Sequence, residues 1–383
     1  MLKGSKAQPK YRLMKLTVGL CSVTLMALFA GQVVGHADDA VDSAVTATTD
    51  PDTSTSADSG VISGTVTATP NTGTGATSDE GSGNETTTDT PNVATVNTSE
   101  IGNLALDSAD KNTAMTTAEN ATGDNAAKIQ ASVDALKGWT MITKSGTTYQ
   151  IGGYDMSRGG EDAILPTVGD FTNLGLDATA VTISKQELYN LAHIRGLLSI
   201  KTSDAGGVIS SSDDDLSYVF ASAYSVNGGY NNNAPSDLKT EIDLSHFDTS
   251  NVTNMRLMFY GLSGLQKLNV SGFNTSKVTD MTRMFGELPQ IRELDVSRFD
   301  TSNVTSMFGM FESDGNLQSL DVSGFNTSKV TTMENMFYQD GSLAHLDVSH
   351  FDTSNVTSMK YMFTGMSNLE ALDVSGFNTS KVT

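Results

Sequence analysis

Six polar residues recur every 26 residues near the C-terminal end of the chain, and their oxygen atoms could hold a cation. They are Asp243, Asn269, Asp295, Asp321, Asp347 and Asp373, hereafter the acidic ladder. Oxygen donors suit Ca²⁺, but a Ca²⁺ site takes about six to eight ligands, and no Glu lies beside the ladder to bind through both oxygens. We therefore expect a solvated acidic stripe without a cofactor, and keep Ca²⁺ as the alternative. Because like charges on adjacent strands repel, Asp-to-Asn changes are expected to stabilise the fold.

A second repeated position carries His246, Arg298 and His350, and glycine in the intervening repeats. A position that accepts glycine and arginine equally is typical of a surface, not of a catalytic centre. The chain has no nucleophile elbow, phosphate loop or His-x-x-x-His pair. We expect a protein without enzymatic activity, although a glycosidase-like carboxylate pair between Trp139 and Lys239 stays open. The candidate exposed binding positions are His246, Arg298, His350, Asp295, Asp321, Asp347 and Asp373.

The elements that position these residues are internal repeats. The phrase Phe-[Asp/Asn]-Thr-Ser-[Asn/Lys]-Val-Thr begins at Phe247, Phe273, Phe299, Phe325, Phe351 and Phe377. Leu268 and Val270 alternate as on a strand, whereas Val278, Met281, Met284 and Phe285 follow the spacing of one helix face. Each unit is predicted to run strand, turn, helix, with its methionines in the core and its Thr-Ser hydroxyls bonded along the stack. The expected fold class is α/β: a leucine-rich-repeat-like solenoid over residues 239–383, incomplete at its C-terminal end.

Two other regions precede the repeats. Residues 118–238 are predicted to form a small β-rich capping region, with a separate β-rich domain as the alternative. Within it we expect a weak helix before residue 136, a hairpin around Lys144–Thr147, a strand at 181–183 and a helix at 185–192. Residues 38–117 are predicted to be a long disordered arm, because Ser, Thr, Asp and Gly dominate there and aromatic residues are absent.

The N-terminal end predicts export. Residues 1–37 combine a basic head with a short apolar run and small residues before Ala37, as in a cleaved signal peptide. The single cysteine, Cys21, lies inside this segment, so the mature protein is expected to have no disulfide or thiolate metal site. The net charge of −21 argues against nucleic acid as a partner. After cleavage we expect no membrane insertion and a monomer.

Two stretches resemble known families. Tyr11, Lys15, Gly19 and Ser22 match the YSIRK-type signal of Gram-positive surface proteins in register, although residues 12–14 depart from it. Leu320-Asp321-Val322-Ser323, Phe325-Asn326-Thr327-Ser328 and Val330-Thr331-x-Met333-x-x-Met336-Phe337 closely resemble the BspA-like leucine-rich-repeat surface proteins. This second resemblance covers residues 242–383 and implies a secreted, cell-surface or cell-wall protein.

The implied function is adhesion, through binding of an extracellular protein or glycan on host, matrix or neighbouring cells. The alternative is a spacer or scaffold at the cell wall that binds nothing specific. The near-identity of the repeats favours the spacer, because uniform repeats offer few distinct contacts, whereas the resemblance favours adhesion.

Overall fold

The computed structural model describes residues 95–222 and 239–383 of the chain. The predicted signal peptide, residues 38–94 of the predicted arm and the segment between 222 and 239 lie outside the described residues. Along the described part, three helices come first, strands alternating with short helices follow, and the 26-residue repeats form the C-terminal end.

The helices lie before residue 193 in the described part of the chain. They are α1 (Thr98–Asn103), α2 (Ser108–Glu119), α3 (Gly123–Leu136), α4 (Met156–Gly159), α5 (Val168–Asn173) and α6 (Lys185–Ala192). The side chain of Ser184 caps α6 by accepting a hydrogen bond from the backbone N–H of Glu187. The helix predicted at 185–192 is confirmed as α6, and the weak helix predicted before residue 136 is confirmed as α3.

The predicted disordered arm is wrong at its C-terminal end, because α1 and most of α2 lie within it. Ile101 and Ala114 are fully buried, and Leu104 and Leu106 are nearly so. These side chains join a core that also contains Trp139 and Phe171. The segment has too few apolar residues to fold alone, but packing on later elements supplies the buried area that offsets its lost entropy. The amino-acid composition of the segment could not show that later elements of the chain would cover it.

The described residues form nine strands in two sheets. They are β1 (Trp139–Ser145), β2 (Thr148–Tyr154), β3 (Asp162–Leu165), β4 (Ala180–Ile183), β5 (Ser199–Thr202), β6 (Ile209–Ser211), β7 (Glu241–Asp243), β8 (Phe247–Asp248) and β9 (Lys267–Asn269). β1 and β2 are antiparallel, which confirms the predicted hairpin, and the other neighbouring strands are parallel. The strand orders are β1-β2-β4-β6-β8 and β3-β5-β7-β9.

Both sheets cross from the predicted capping region into the repeats. Ile209 of β6 lies opposite Phe247 of β8, and Ile200 of β5 lies opposite Ile242 of β7. One apolar core runs without interruption from Ile101 to Met366. The region is also less β-rich than predicted, since α3 to α6 lie within it. Residues 118–222 therefore share sheets and a core with the repeats, and their capping role stays a prediction.

Beyond β9 the repeats contact each other through single parallel bridges with a step of 26 residues. Asp280 bridges Ser306, Ser306 bridges Thr332, and Thr332 bridges Ser358. We call residues 239–383 the repeat stack; its coils 1 to 5 begin at Ile242, Leu268, Leu294, Leu320 and Leu346. In coil 3, Leu294 and Val296 are buried and Asp295 is exposed, which confirms the predicted alternation.

The predicted helix in each coil is wrong, since no helix follows α6 in the described residues. In coil 1 the N–H groups of Met255, Leu257 and Phe259 donate to carbonyl oxygens of coil 2, over 2.8 to 3.0 Å. The intervening N–H of Met258 closes a turn on the carbonyl oxygen of Met255. An α-helix would keep all these hydrogen bonds inside the coil. Here every second backbone N–H group instead donates a hydrogen bond to the next coil.

Backbone handedness also excludes a helix at this place. At one equivalent position each coil has a residue with a φ between 52 and 59°; these residues are Leu257, Arg283, Gly309, Asn335 and Tyr361. L-residues rarely adopt this left-handed conformation, and a right-handed helix cannot contain it. The successive turns still bring apolar residues three and four apart to the core. That spacing is the one which predicted a helix.

Stacked aromatic rings fill the core beneath these turns. Phe220, Phe259, Phe285, Phe311, Phe337 and Phe363 form one column, with ring centroids 5.3 to 5.9 Å apart and interplanar angles of 4 to 12°. Met281, Met307 and Met333 are fully buried, so their predicted role as core residues is confirmed. A continuous column requires equal spacing of the coils.

A buried threonine in each coil joins it to the next coil. Thr301 Oγ1 donates to the carbonyl oxygen of Asn326 at 3.1 Å and accepts from the N–H of Asn326 at 2.8 Å. Thr249 and Thr353 make the same pair of bonds. The predicted hydroxyl bonding along the stack is thereby confirmed for threonine. The serine next to it bonds instead within its own turn, as Ser302 does with Asp300.

Candidate binding surfaces of the repeat stack

The acidic ladder residues form the turns of their own coils. Asp295 Oδ1 accepts hydrogen bonds from the N–H and the hydroxyl of Ser297, at 3.0 and 2.6 Å. Asp347 makes the same two bonds with Ser349, and Asp321 and Asp373 accept from the N–H two residues on. Asn269 accepts the equivalent bond from Ser271. In each turn of the ladder, a side-chain oxygen thus accepts the hydrogen bond that closes the turn. Either a carboxylate or an amide oxygen can do this.

These turns favour ionised carboxylates. Hydrogen bonds from the serine hydroxyl and N–H lower the pKa of Asp295, Asp321, Asp347 and Asp373. Repulsion from the neighbouring Asp acts in the opposite direction at Asp295 and Asp373, but it is the weakest of the named causes. These lowered pKa values argue against the expectation that Asp-to-Asn changes stabilise the fold, which stays a prediction. Among the described residues no group of three or more His, Cys, Asp or Glu side chains is arranged to hold a metal ion.

We expect Asp321→Asn combined with Asp347→Asn to leave stability at pH 7 unchanged or slightly lower. A depressed carboxyl pKa gives stability that is present above the unfolded-state value of about 3.9 and is lost as pH falls further. The variant should therefore lose less stability than the parent on acidification below pH 4, in urea unfolding at a series of pH values. The matched change Asn269→Asp should be tolerated at pH 7. Stabilisation by the double variant, or strong destabilisation by Asn269→Asp, would favour the repulsion account.

The histidine and arginine positions do not form one site. His246 lies in coil 1, Arg298 in coil 3 and His350 in coil 5, all at one edge of the acidic ladder. His350 Nε2 lies 2.9 Å from the carbonyl oxygen of Val322, and His246 Nδ1 lies 3.6 Å from Asp204. His350 also helps to lower the pKa of Asp321 and Asp347. The two histidines contact residues outside their own coils, and in the described structure the three side chains share no cluster.

An open groove crosses the strands at the start of the stack. Its polar lining alternates in charge and comes from Glu241, Asp243, Lys267, Asn269, Arg292 and Glu293. The Asn269 amide donates to Asp243 Oδ2 at 3.2 Å. The groove is shallow and its polar groups point to solvent. Such a surface suits contact with a broad partner and not enclosure of a small substrate.

A different side of each coil carries the residues that vary from coil to coil. We call it the turn face; it consists of positions 256, 257, 260 and 261 of coil 1 and their equivalents. One of its columns reads Arg256, Thr282, Phe308, Glu334, Lys360, and another reads Tyr260, Gly286, Glu312, Tyr338, Thr364. The half of each coil that carries the ladders is almost invariant by comparison. Sequence reasoning missed this face, although the variation between coils could have revealed it.

Aromatic and charged side chains of the turn face contact one another across coils. The Arg283 guanidinium lies 5.0 Å from the ring centroid of Phe308 and 5.7 Å from that of Tyr260. Its Nε lies 2.7 Å from Glu312 Oε1. The Tyr260 hydroxyl donates to Glu287. These contacts order the side chains of the face in advance of any partner.

A pair of tyrosines joins the turn faces of coils 4 and 5. The Tyr361 ring centroid lies 6.4 Å from that of Tyr338 and 4.9 Å from Lys360 Nζ. Tyrosine and arginine are the residue types that most often contribute binding energy at protein interfaces. A rigid, aromatic, mixed-charge surface is what a binding module offers to a large partner.

The repeat region is similar to a known sequence family. Residues 230–319 and 309–383 match a sequence family described as "Mycoplasma protein of unknown function, DUF285". No curated protein and no solved structure matches the chain. None of the described helices is long and apolar enough to cross a membrane. Over residues 230–383 the chain is therefore similar to the family of BspA-like repeat proteins.

Proposed function

We propose that the protein is an exported cell-surface protein and that its repeat stack, a leucine-rich-repeat-like solenoid, binds an extracellular protein or glycan. The stacked 26-residue coils support the solenoid assignment, because each coil buries its apolar face against its neighbours. The basic and apolar segment at residues 1–37 supports export. The resemblance to BspA-like proteins supports a surface location.

The turn face carries this proposal. The backbone and buried positions of the coils repeat closely. Arg256, Phe308 and Lys360 are exposed or half-exposed members of one column, which also holds the buried Thr282, and they differ in size and charge. A spacer needs only the repeated half. A column that changes residue type from coil to coil on a constant frame gives a specific surface. We therefore favour binding over catalysis, and place the contact on the turn face.

The near-identical ladders are the observation that favours the alternative, a spacer or scaffold at the cell wall. The buried threonine bonds and the stacked rings connect the coils without any contribution from the turn face. Under this alternative no change on the turn face has a consequence outside the protein.

The experiment compares binding of the full chain and two variants to an array of immobilised extracellular glycans and matrix proteins. The turn-face variant combines Tyr338→Thr, Lys360→Thr and Tyr361→Asn, each of which introduces the residue found at that position in another coil. The matched ladder variant combines Asp321→Asn, Asp347→Asn and His350→Gly by the same rule. We expect the turn-face variant to lose at least tenfold in affinity. Tyrosine is enriched among interface hot spots, whose truncation costs about 2 kcal/mol or more, and a factor of ten corresponds to about 1.4 kcal/mol. The ladder variant should keep the parent's affinity.

The other outcomes are informative. Loss of binding in the ladder variant alone would assign the contact to His350 and the acidic ladder, the positions predicted from the sequence. Absence of binding by the parent across the array, on a protein shown to be folded, would favour the spacer.

A further inference from the structure

Two aspartates occupy a core position of the repeat stack. The position holds Leu262 in coil 1, Leu288 in coil 2 and Met366 in coil 5, but Asp314 and Asp340 in coils 3 and 4. Asp314 is 1% exposed and Asp340 is fully buried. Carboxyl groups are seldom buried this deeply without a cation beside them. Their place in the column of leucines is a local exception to an otherwise apolar pattern.

Each of the two carboxyl groups uses only one of its oxygens in a hydrogen bond. Asp340 Oδ1 accepts from the N–H of Asp314 at 2.9 Å, and Asp314 Oδ1 accepts from the N–H of Leu288 at 2.8 Å. The Oδ2 atoms of both residues are buried, and no described residue donates a hydrogen bond to them. A buried ionised oxygen without a donor is costly, whereas a protonated one is neutral. The geometry therefore provides a place for a proton on each Oδ2.

The neighbouring charged side chains also favour protonation of Asp314 and Asp340. Asp314 faces Asp340, Glu312 and Glu287, and Asp340 faces Glu312 as well. Arg283 is the cation of this cluster, and its Nε contacts Glu312 Oε1 instead of either aspartate. Burial above all, and the neighbouring carboxylates after it, raise the pKa of Asp314 well above its usual value and that of Asp340 to about 8.

We propose that Asp314 and Asp340 are a proton-binding pair that holds coils 2 to 4 together most tightly in acidic surroundings and loosens them as the pH rises towards 8. The inference stands whether or not the turn face binds a partner.

The direction in which stability changes with pH follows from the difference between the folded and unfolded pKa values. A carboxyl group whose pKa is raised on folding binds its proton more tightly in the folded state, so stability is full below the unfolded value of about 3.9. That stability is lost progressively as pH rises, up to the folded value of about 8 for Asp340. The acidic ladder behaves oppositely and titrates below pH 4. The window between pH 5 and 8 therefore separates the pair from the ladder.

The test measures urea unfolding of the full chain by circular dichroism between pH 5 and 8.5. The unfolding equilibrium constant should rise about tenfold per pH unit for each proton that the folded state alone retains. The variant Asp314→Asn with Asp340→Asn keeps both Oδ1 acceptors and imitates the protonated form, so this rise should disappear. The control Asp321→Asn with Asp347→Asn should keep the full rise.

An infrared measurement of the protonated carboxyl band at pH 7 provides a second, direct readout. The band should be present in the parent and the ladder control and absent from the Asp314→Asn, Asp340→Asn variant. If that variant folds poorly, the single change Asp340→Met, which introduces the residue of coil 5, should also weaken the band and the pH dependence. Parent stability that is flat or rising from pH 5 to 8, or a parent without the band, would overturn the proposal.

Discussion

Replacing Phe311 by alanine is expected to destabilise the repeat stack by about 3–5 kcal/mol, the usual cost of truncating a buried aromatic side chain. The Phe311 ring is fully buried between those of Phe285 and Phe337, at centroid distances of 5.8 and 5.7 Å. The coils above and below are held at a fixed spacing by backbone hydrogen bonds, so they cannot close the cavity. Urea unfolding monitored by circular dichroism gives the measurement.

Phe308→Ala in the same coil is the matched control. Phe308 lies three residues earlier on the turn face, where it is half-buried and contacts the Arg283 guanidinium. We expect a loss of about 1 kcal/mol or less, in the range of partly exposed positions. Equal losses at Phe308 and Phe311 would contradict the view that the ring column carries the stability of the core.

Replacing Thr301 by valine is expected to cost about 2–4 kcal/mol, although the two side chains have nearly the same shape. The change removes the hydroxyl that donates to the carbonyl oxygen of Asn326 and accepts from its N–H. Both backbone groups of Asn326 are then left without this partner in a half-buried place, and an unsatisfied polar group costs about 1–3 kcal/mol when it is shielded from water. The loss of stability is measured by the same urea unfolding.

Thr305→Val provides the control within the same coil. The exposed Thr305 hydroxyl donates to the carbonyl oxygen of Thr279 at 3.0 Å, and that oxygen also accepts the N–H of Thr305 at 2.8 Å. Water can replace the lost hydroxyl, so we expect a change within about 0.5 kcal/mol. A larger effect at Thr305 than at Thr301 would refute the assignment of the buried threonine as the connection between coils.

The period of the repeats made several features predictable. A threonine equivalent to Thr301 recurs at one place in every coil. Stacking of similar coils brings its hydroxyl next to the backbone of the following coil. The alternation of Leu294, Asp295 and Val296 places the acid outside by the geometry of an extended chain. The hairpin of β1 and β2 and the helix α6 followed from local turn and capping residues, which act over a few positions.

Three features were not predictable in this way. Apolar residues at the spacing of Met281, Met284 and Phe285 satisfy both a helix face and a series of turns. The choice depends on whether backbone N–H groups bond within the coil or to the next one. The helices α1 and α2 form because later elements cover Ile101 and Ala114, a contact that composition cannot show. Asp314 and Asp340 are ordinary acids by type, and only their place in a leucine column marks them as buried.

Three features follow from the amino-acid sequence alone: the 26-residue unit, the inward and outward sides of its strand half, and the columns of identical residues. They follow because a strict repeat must place equivalent residues in equivalent surroundings. Tertiary structure decided the rest. Hydrogen bonds between coils replaced the helix by turns, and the acidic ladder became a set of closed turns that prefer ionised Asp. Burial gave Asp314 and Asp340 raised pKa values. These outcomes depend on which backbone donors and how much water surround each side chain, and only the packed coils fix both.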